Sequence, residues 1–187
     1  MKPFFKEINF EKGLYSDYDE KIVRRLSDIQ PYVENKKALE ERKSDRDSVV
    51  YEVLQIDIPD QAGHIKNSIT IIKPGVIGEE YFFTKGHYHG NQESAEIYLG
   101  LKGQGVLLMQ KGDREELIEM EKGTMSYIPP QWAHRTINVG QNDFVFTSFY
   151  PGDAGYDYQE IISGGFKTRI CETDSENNGP AYKKVRR

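Results

Sequence analysis

The sequence predicts an all-β domain, a barrel or a double-sheet sandwich, preceded by short helices. Two observations predict it. From Ser48 onward, short runs rich in β-branched and aromatic residues are cut by Gly, Pro, Asn and Asp at intervals of about 8 to 12 residues. Before Ser48 the texture differs, with apolar residues at helical spacing and a stretch of Lys, Glu, Ala and Leu.

In the first 48 residues, Ile22, Val23, Leu26 and Ile29 fall at helical spacing and Ser27 offers a cap. Glu34 to Lys43 is composed of good helix formers, and Pro31 separates the two segments. The strand runs that follow are Val49 to Ile58, Asn67 to Ile72, Glu80 to Thr84, Glu96 to Leu101 and Gly105 to Gln110. Glu115 to Met120, Met125 to Ile128, Arg135 to Val139 and Phe144 to Tyr150 complete them. Breaks at Lys73-Pro74-Gly75, Gly103-Gln104-Gly105, Lys111-Gly112-Asp113 and Lys122-Gly123 suit hairpin turns. Asp153 to Ile162 reads as one helix ending at Gly164-Gly165, and the tail from Glu172 to Arg187 is polar, with Asn177-Asn178-Gly179-Pro180 inside it. The expected organisation is an extension over 1–48 packing on a barrel over 49–170, then a polar tail over 171–187.

At 187 residues the chain has room for one core and not for two full domains. The formal net charge of −5 disfavours a nucleic-acid partner. No apolar run is long enough for a membrane helix. The opening Met1-Lys2-Pro3-Phe4-Phe5-Lys6-Glu7 lacks the features of a secretion signal, and the single Cys171 permits no internal disulfide. A cytoplasmic setting is therefore expected.

Three of the four histidines carry the chemistry. In Gly86-His87-Tyr88-His89 the imidazoles are two residues apart, so an extended strand points both to one face. Glu96 follows after a length of chain that suffices to turn and come back alongside, and Glu96, Tyr98 and Gly100 then share a face. His134 opens a later strand directly after the rigid Pro129-Pro130-Gln131-Trp132-Ala133 turn. Three imidazoles and a carboxylate suit Fe(II), Mn(II), Ni(II), Co(II) or Zn(II), and the absence of a thiolate gives no further discrimination. Four protein ligands on a six-coordinate ion leave two positions for a bidentate substrate. His64 has turn-like neighbours and reads as a solvated loop residue, while Cys171 has no partner pattern and reads as inert. Thr84-Lys85-Gly86 offers a hydroxyl, an ammonium and a backbone amide to an anionic group beside the metal.

His87-x-His89 with Glu96 and Gly103 resembles the first cupin motif, and Gly123, Pro129, His134 and Asn138 at their spacing resemble the second. Tyr81 and Gln131 stand where those motifs have Gly. The fold that this implies is the cupin double-stranded β-helix, a jelly-roll barrel. A narrower set of strings is similar to the archaeal-type, metal-dependent cupin glucose-6-phosphate isomerases. They are Val23-Arg24-Arg25-Leu26-Ser27-Asp28, Val50-Tyr51-Glu52-Val53, Phe82-Phe83-Thr84-Lys85-Gly86-His87, Ala95-Glu96-Ile97-Tyr98, Leu101-Lys102-Gly103, Pro129 through Arg135, and Tyr150 through Gly155.

The resemblance implies interconversion of glucose 6-phosphate and fructose 6-phosphate by a homodimer with one divalent ion per subunit, Fe(II) first among the candidates. It implies metal ligands His87, His89, Glu96 and His134, and sugar-phosphate contacts at Tyr51, Thr70, Thr84, Gly86, Tyr98, Tyr150 and Tyr158. Lys85 joins them from the reading of the Thr84-Lys85-Gly86 segment. Tyr156 stands where a His is expected in related enzymes, which puts in question a ring-opening or proton-relay role there.

Aldose–ketose isomerisation needs the C1 and C2 oxygens held together and a hydrogen moved between the two carbons. Glu96 is the candidate base through an enediol, and a metal-assisted 1,2-hydride shift is the alternative that needs none. Two other functions share the ligand set. One is an oxygen-activating Fe(II) or Mn(II) oxidoreductase, and the other a non-catalytic sugar-binding cupin. Mannose 6-phosphate is a second possible substrate, because an enediol loses the C2 configuration.

Overall fold

The structure is a computed structural model, and it describes residues 1–173 and 182–186. A small hairpin, β1 (Ile8–Asn9) and β2 (Leu14–Tyr15), comes first, then β3 (Glu20–Arg25), α1 (Leu26–Ile29), a 3-10 turn over Gln30–Tyr32 and α2 (Lys36–Asp45). The body contains β4 (Val49–Gln55), β5 (Ile65–Ile72), β6 (Val76–Ile77), β7 (Glu80–Tyr81), β8 (Glu96–Lys102) and β9 (Gln104–Lys111). It continues with β10 (Arg114–Glu121), β11 (Met125–Ile128), β12 (Ala133–Asn138) and β13 (Phe144–Pro151). The last elements are α3 (Gln159–Gly164), β14 (Thr168–Glu172) and β15 (Tyr182–Arg186).

The largest sheet has the antiparallel order β11-β8-β13-β5-β4-β3 and the second is β10-β9-β12. Between them lies one core that includes Phe82, Phe83, Phe144, Phe146 and Phe166. Along β12 runs the segment 82–89, joined by the Phe83–Ile137 and His87–His134 bridges, and β14 and β15 pair in a third sheet with β7 and β6. On the outer face of the large sheet a second apolar cluster, Leu54, Ile56, Ile69, Ile71, Leu101 and Val145, is covered by Tyr15, Leu14 and Ile8 of the hairpin. Covering both faces of the sheet explains why β5 is buried at every position from Ser68 to Ile72, with Ile69 and Ile71 facing the hairpin cluster and Ser68 and Thr70 facing the interior. Among the described residues no helix is long and apolar enough to cross a membrane.

Three segments depart from the sequence reading. Ile22 and Val23 are not helical: β3 pairs with β4, Arg24 opposite Tyr51, and only Leu26–Ile29 forms a helix. Strand pairing against a formed sheet outweighs a helical spacing that rests on four residues. Ser27 is no cap, since its backbone N–H and hydroxyl both donate to Asp47, and Asp28 accepts from the Arg25 N–H instead. The helix expected from Asp153 begins only at Gln159. Before it, residues 152–157 form an irregular strap that starts in a turn and is held by paired backbone hydrogen bonds between Tyr88 and Asp157, and by Asn91 on the Ala154 carbonyl. The tail is not uniformly irregular, because β15 pairs with β14. Asn177-Asn178-Gly179-Pro180 lies outside the described residues.

Gln131, at the motif position expected to hold Gly, keeps the left-handed backbone with φ +68°. It is the only non-glycine residue in that region among the described residues. Lys111 ties its side chain down with a 2.9 Å hydrogen bond.

Candidate active site

His87, His89, Glu96 and His134 converge on one point at the inner wall of the barrel, with one donor atom from each within 4.8 Å of the others. Backbone pairing places them. His87 and His134 exchange both backbone hydrogen bonds across their bridge, and β8 starts at Glu96. His89 Nε2 lies 3.1 Å from Glu96 Oε2, and His134 Nε2 lies 3.2 Å from the same oxygen.

The far nitrogens fix the tautomers. His89 Nδ1 is 3.0 Å from the Ser94 carbonyl and His134 Nδ1 is 3.2 Å from the Trp132 carbonyl. A carbonyl only accepts, so Nδ1 carries a proton in each ring and Nε2 is the nitrogen that faces the cluster. The Nε2 atom of His87 is buried with no hydrogen-bond partner among the described residues. One buried imidazole nitrogen without a partner and two more turned to the same carboxylate oxygen are the donor set a divalent cation requires, so the four residues fit one.

Burial, then the neighbouring His134, pushes His87 well below the usual imidazole range and keeps it neutral. At Glu96 burial works to raise the carboxyl, but contacts with His134 and His89 outweigh it and hold it at about 2. For His89, burial opposes the charged form and the bond to Glu96 favours it, with a net upward shift.

Beside the cluster opens a cavity of about 330 Å³, in the range that holds a small ligand. Tyr51, Thr70, Thr84, Lys85, Gly86, Tyr98, Tyr150 and Tyr158 all line it, as do His87, Glu96 and His134. Every residue expected as a sugar-phosphate contact is therefore brought to one cavity.

The family model for glucose-6-phosphate isomerase matches residues 23–186. Glucose-6-phosphate isomerase of Pyrococcus furiosus is 41% identical over 188 residues, covering 98% of this chain and 98% of its own. That of Thermococcus litoralis is 42% identical over 176 residues, 94% of this chain and 92% of its own. The chain belongs to the glucose-6-phosphate isomerase family. Its fold is the cupin β-barrel: a solved oxalate oxidase superposes with a TM-score of 0.50 at 15% identity over 60% of this chain and 56% of its own, a likeness of fold alone.

In this family member the cavity has a cationic end that the sequence reading only half supplied. Lys85 was expected there, and Arg24 was not. The side chain of Arg24 projects from β3 into the cavity next to Tyr51, and no carboxylate forms an ion pair with it among the described residues. Burial, and then the charge of Arg24, lowers the pKa of Lys85. The Lys85 ammonium also lies 5.8 Å from the centre of the Tyr32 ring. No strand signal marks Arg24 in the sequence, since Glu20-Lys21-Ile22-Val23-Arg24-Arg25 lacks a two-residue alternation and its apolar residues fall at helical spacing.

The loop carrying Thr84, Lys85 and Gly86 is braced from below. Arg135 is sandwiched between Phe83 and Phe166, at 4.2 and 4.7 Å, and donates to the Lys85 carbonyl at 2.9 Å. Gly86 has φ +74°, and a Cβ there would sit 2.6 Å from Phe166. The Thr136 N–H donates to Thr84 Oγ1, which leaves the Thr84 hydroxyl proton for another acceptor.

Tyr156 closes the other side. Its ring meets His87 edge-on at 4.9 Å, and its hydroxyl donates to that of Tyr150 at 3.0 Å. Burial raises the pKa of both phenols, so both are neutral donors and not bases. Cys171 is buried, and burial raises its thiol, in agreement with the inert reading.

Proposed function

We propose that the chain interconverts glucose 6-phosphate and fructose 6-phosphate with one divalent ion per subunit, held by His87, His89, Glu96 and His134. The observation that carries this reading is the pairing of a four-donor cluster with two cations, Arg24 and Lys85, that form no ion pair with a carboxylate among the described residues, in one cavity. When bound, the ion supplies a Lewis acid that polarises the two oxygens between which hydrogen is exchanged. The same donor set suits an oxygen-activating enzyme, but the two cations and the Thr70 and Thr84 hydroxyls in the same cavity favour a phosphorylated substrate.

In this reading Arg24, Lys85, the Thr70 and Thr84 hydroxyls and the Gly86 backbone hold the phosphate, and Tyr51 and Tyr158 border it. Tyr98 and Tyr150 contact the sugar near the cluster. Glu96 is ionised at neutral pH and is the catalytic base in the enediol route, but a carboxyl held at about 2 is a weak base. Direct hydrogen transfer between C1 and C2 avoids that weakness, and deuterium uptake from solvent at C2 tells the two apart. Iron is the first choice of ion, with Mn(II), Ni(II), Zn(II) and Co(II) able to occupy the same donors. The proposal extends to a cytoplasmic homodimer acting in glycolysis and gluconeogenesis. It also keeps the division into a 1–48 extension, a 49–170 barrel and a 171–187 tail.

The test is a coupled assay for glucose 6-phosphate formed from fructose 6-phosphate by the metal-loaded chain, with dissolved oxygen followed in parallel. Turnover without oxygen uptake is expected. Oxygen consumption without isomerisation would contradict the proposal.

A further inference from the structure

The floor of the cavity carries a polar row that neither the metal cluster nor the cationic end accounts for. Tyr98 of β8 stands opposite Ser148 of β13, Ser148 opposite Ser68 of β5, and Ser68 opposite Gln55 of β4. All four line the cavity. One pleat repeat along the strands in one direction lies the row of Glu96, Tyr150 and Lys66, and in the other lie Phe146, Thr70 and Val53, followed by Tyr51 and Arg24. The polar row is thus interposed between the metal cluster and the cations.

Ser68 and Ser148 are only 5% and 4% exposed, and their hydroxyl oxygens lie 2.9 Å apart. Among the described residues, each hydroxyl has the other as its only side-chain partner. A pair of hydroxyls spends one of its two protons internally, which leaves one donor and spare lone pairs at the cavity surface. Packing alone does not call for them, since Phe146 and Val53 of the adjoining row show that this floor accepts apolar side chains, while a buried hydroxyl needs every partner it can find.

We infer that the Ser68–Ser148 pair is a specificity determinant that hydrogen-bonds a secondary hydroxyl of the sugar, at C3 or C4, between the reacting carbons and the phosphate. This rests on the functional reading above. The pair takes no part in hydrogen transfer, and its effect is on which sugar phosphate is accepted.

The experiment is a cycle of enzyme and substrate deletions. Fructose 6-phosphate and its 3-deoxy and 4-deoxy analogues are turned over by the metal-loaded wild type and by the Ser68→Ala, Ser148→Ala and double variants. Loss of one neutral hydrogen bond predicts that one deoxy analogue falls about tenfold in kcat/KM on the wild type. The double variant should lose about as much on fructose 6-phosphate and show no further loss on that analogue. Metal content and thermal midpoint of the variants serve as controls on folding. A deoxy penalty that persists undiminished in the folded double variant would overturn the inference while leaving the isomerase reading intact, and so would a wild type indifferent to both deletions. Should the double variant fail to fold, the wild-type deoxy penalties together with the single variants decide in the same way. No isomerisation by the metal-loaded wild type would remove the functional reading and this inference with it.

Discussion

The two ends of the cavity are built by opposite strategies. The metal end takes its four donors from the central strands and the segment along β12, where each imidazole or carboxylate is fixed by backbone pairing or by a carbonyl behind it. The cationic end is assembled from a strand at the edge of the large sheet and a loop, and its two charges repel each other. A centre that grips an ion needs its donors preset, whereas a centre that greets a mobile dianion needs charge held ready without an internal anion to cancel it. The lesson is that donors preset around one point and cations without an ion-paired carboxylate among the described residues occupy different parts of one cavity.

The largest expected effect comes from breaking the metal end. His134→Ala or His89→Ala should abolish metal retention after gel filtration and lower kcat/KM about 10³-fold or more, since a polarising ion is worth several kcal/mol. Metal analysis alongside kinetics checks both halves of that statement.

Breaking the cationic end should look different. For Arg24→Ala we expect KM for fructose 6-phosphate to rise about 10- to 100-fold, with metal content unchanged and kcat within about threefold, because a charge-assisted hydrogen bond to phosphate is lost in ground and transition state alike. A fall in kcat with unchanged KM would place Arg24 at the reacting carbons instead.

The pH dependence sharpens the contrast. The lowered pKa of Lys85 means its ammonium loses the proton at a lower pH than an exposed lysine does. Substrate affinity should therefore decline as pH rises through that value, and Lys85→Arg should extend the flat region of KM upward. Acidification acts on the other end, since metal binding needs neutral imidazoles and falls as protons compete for them.

Tyr156→Phe should give the smallest change. Its hydroxyl reaches Tyr150 and not the metal donors, so a loss of about threefold or less in kcat/KM is expected, measured with both anomers of glucose 6-phosphate. A large, anomer-selective loss would restore a ring-opening role to this position.

The same contrast explains what could be read from the sequence. The convergence of His87, His89, Glu96 and His134 was legible because their residue types and spacings, read on strand geometry, bring the four donors to one place. The strands of the barrel were legible from β-branched runs and turn residues, and Met125–Ile128 has the expected bounds. Arg24 was hidden because Ile22, Val23, Leu26 and Ile29 satisfy a helical period by coincidence across a strand-to-helix junction. The strap over residues 152–157 was hidden for another reason: what holds it is backbone pairing with Tyr88 and Asn91, remote in sequence. Ser68 and Ser148 leave no sequence signature at all, since a serine in a strand declares nothing until the register brings its partner opposite.

The central claim is that turnover of hexose phosphates requires one cation gripped by these four side chains. Chelator-stripped protein titrated with Fe(II) or Mn(II), with bound metal and fructose 6-phosphate isomerisation read from the same samples, tests it most directly. Activity should be absent at the start, rise in proportion to occupancy and level off at one ion per chain. Full activity in the stripped protein, or a plateau unrelated to occupancy, would contradict the account.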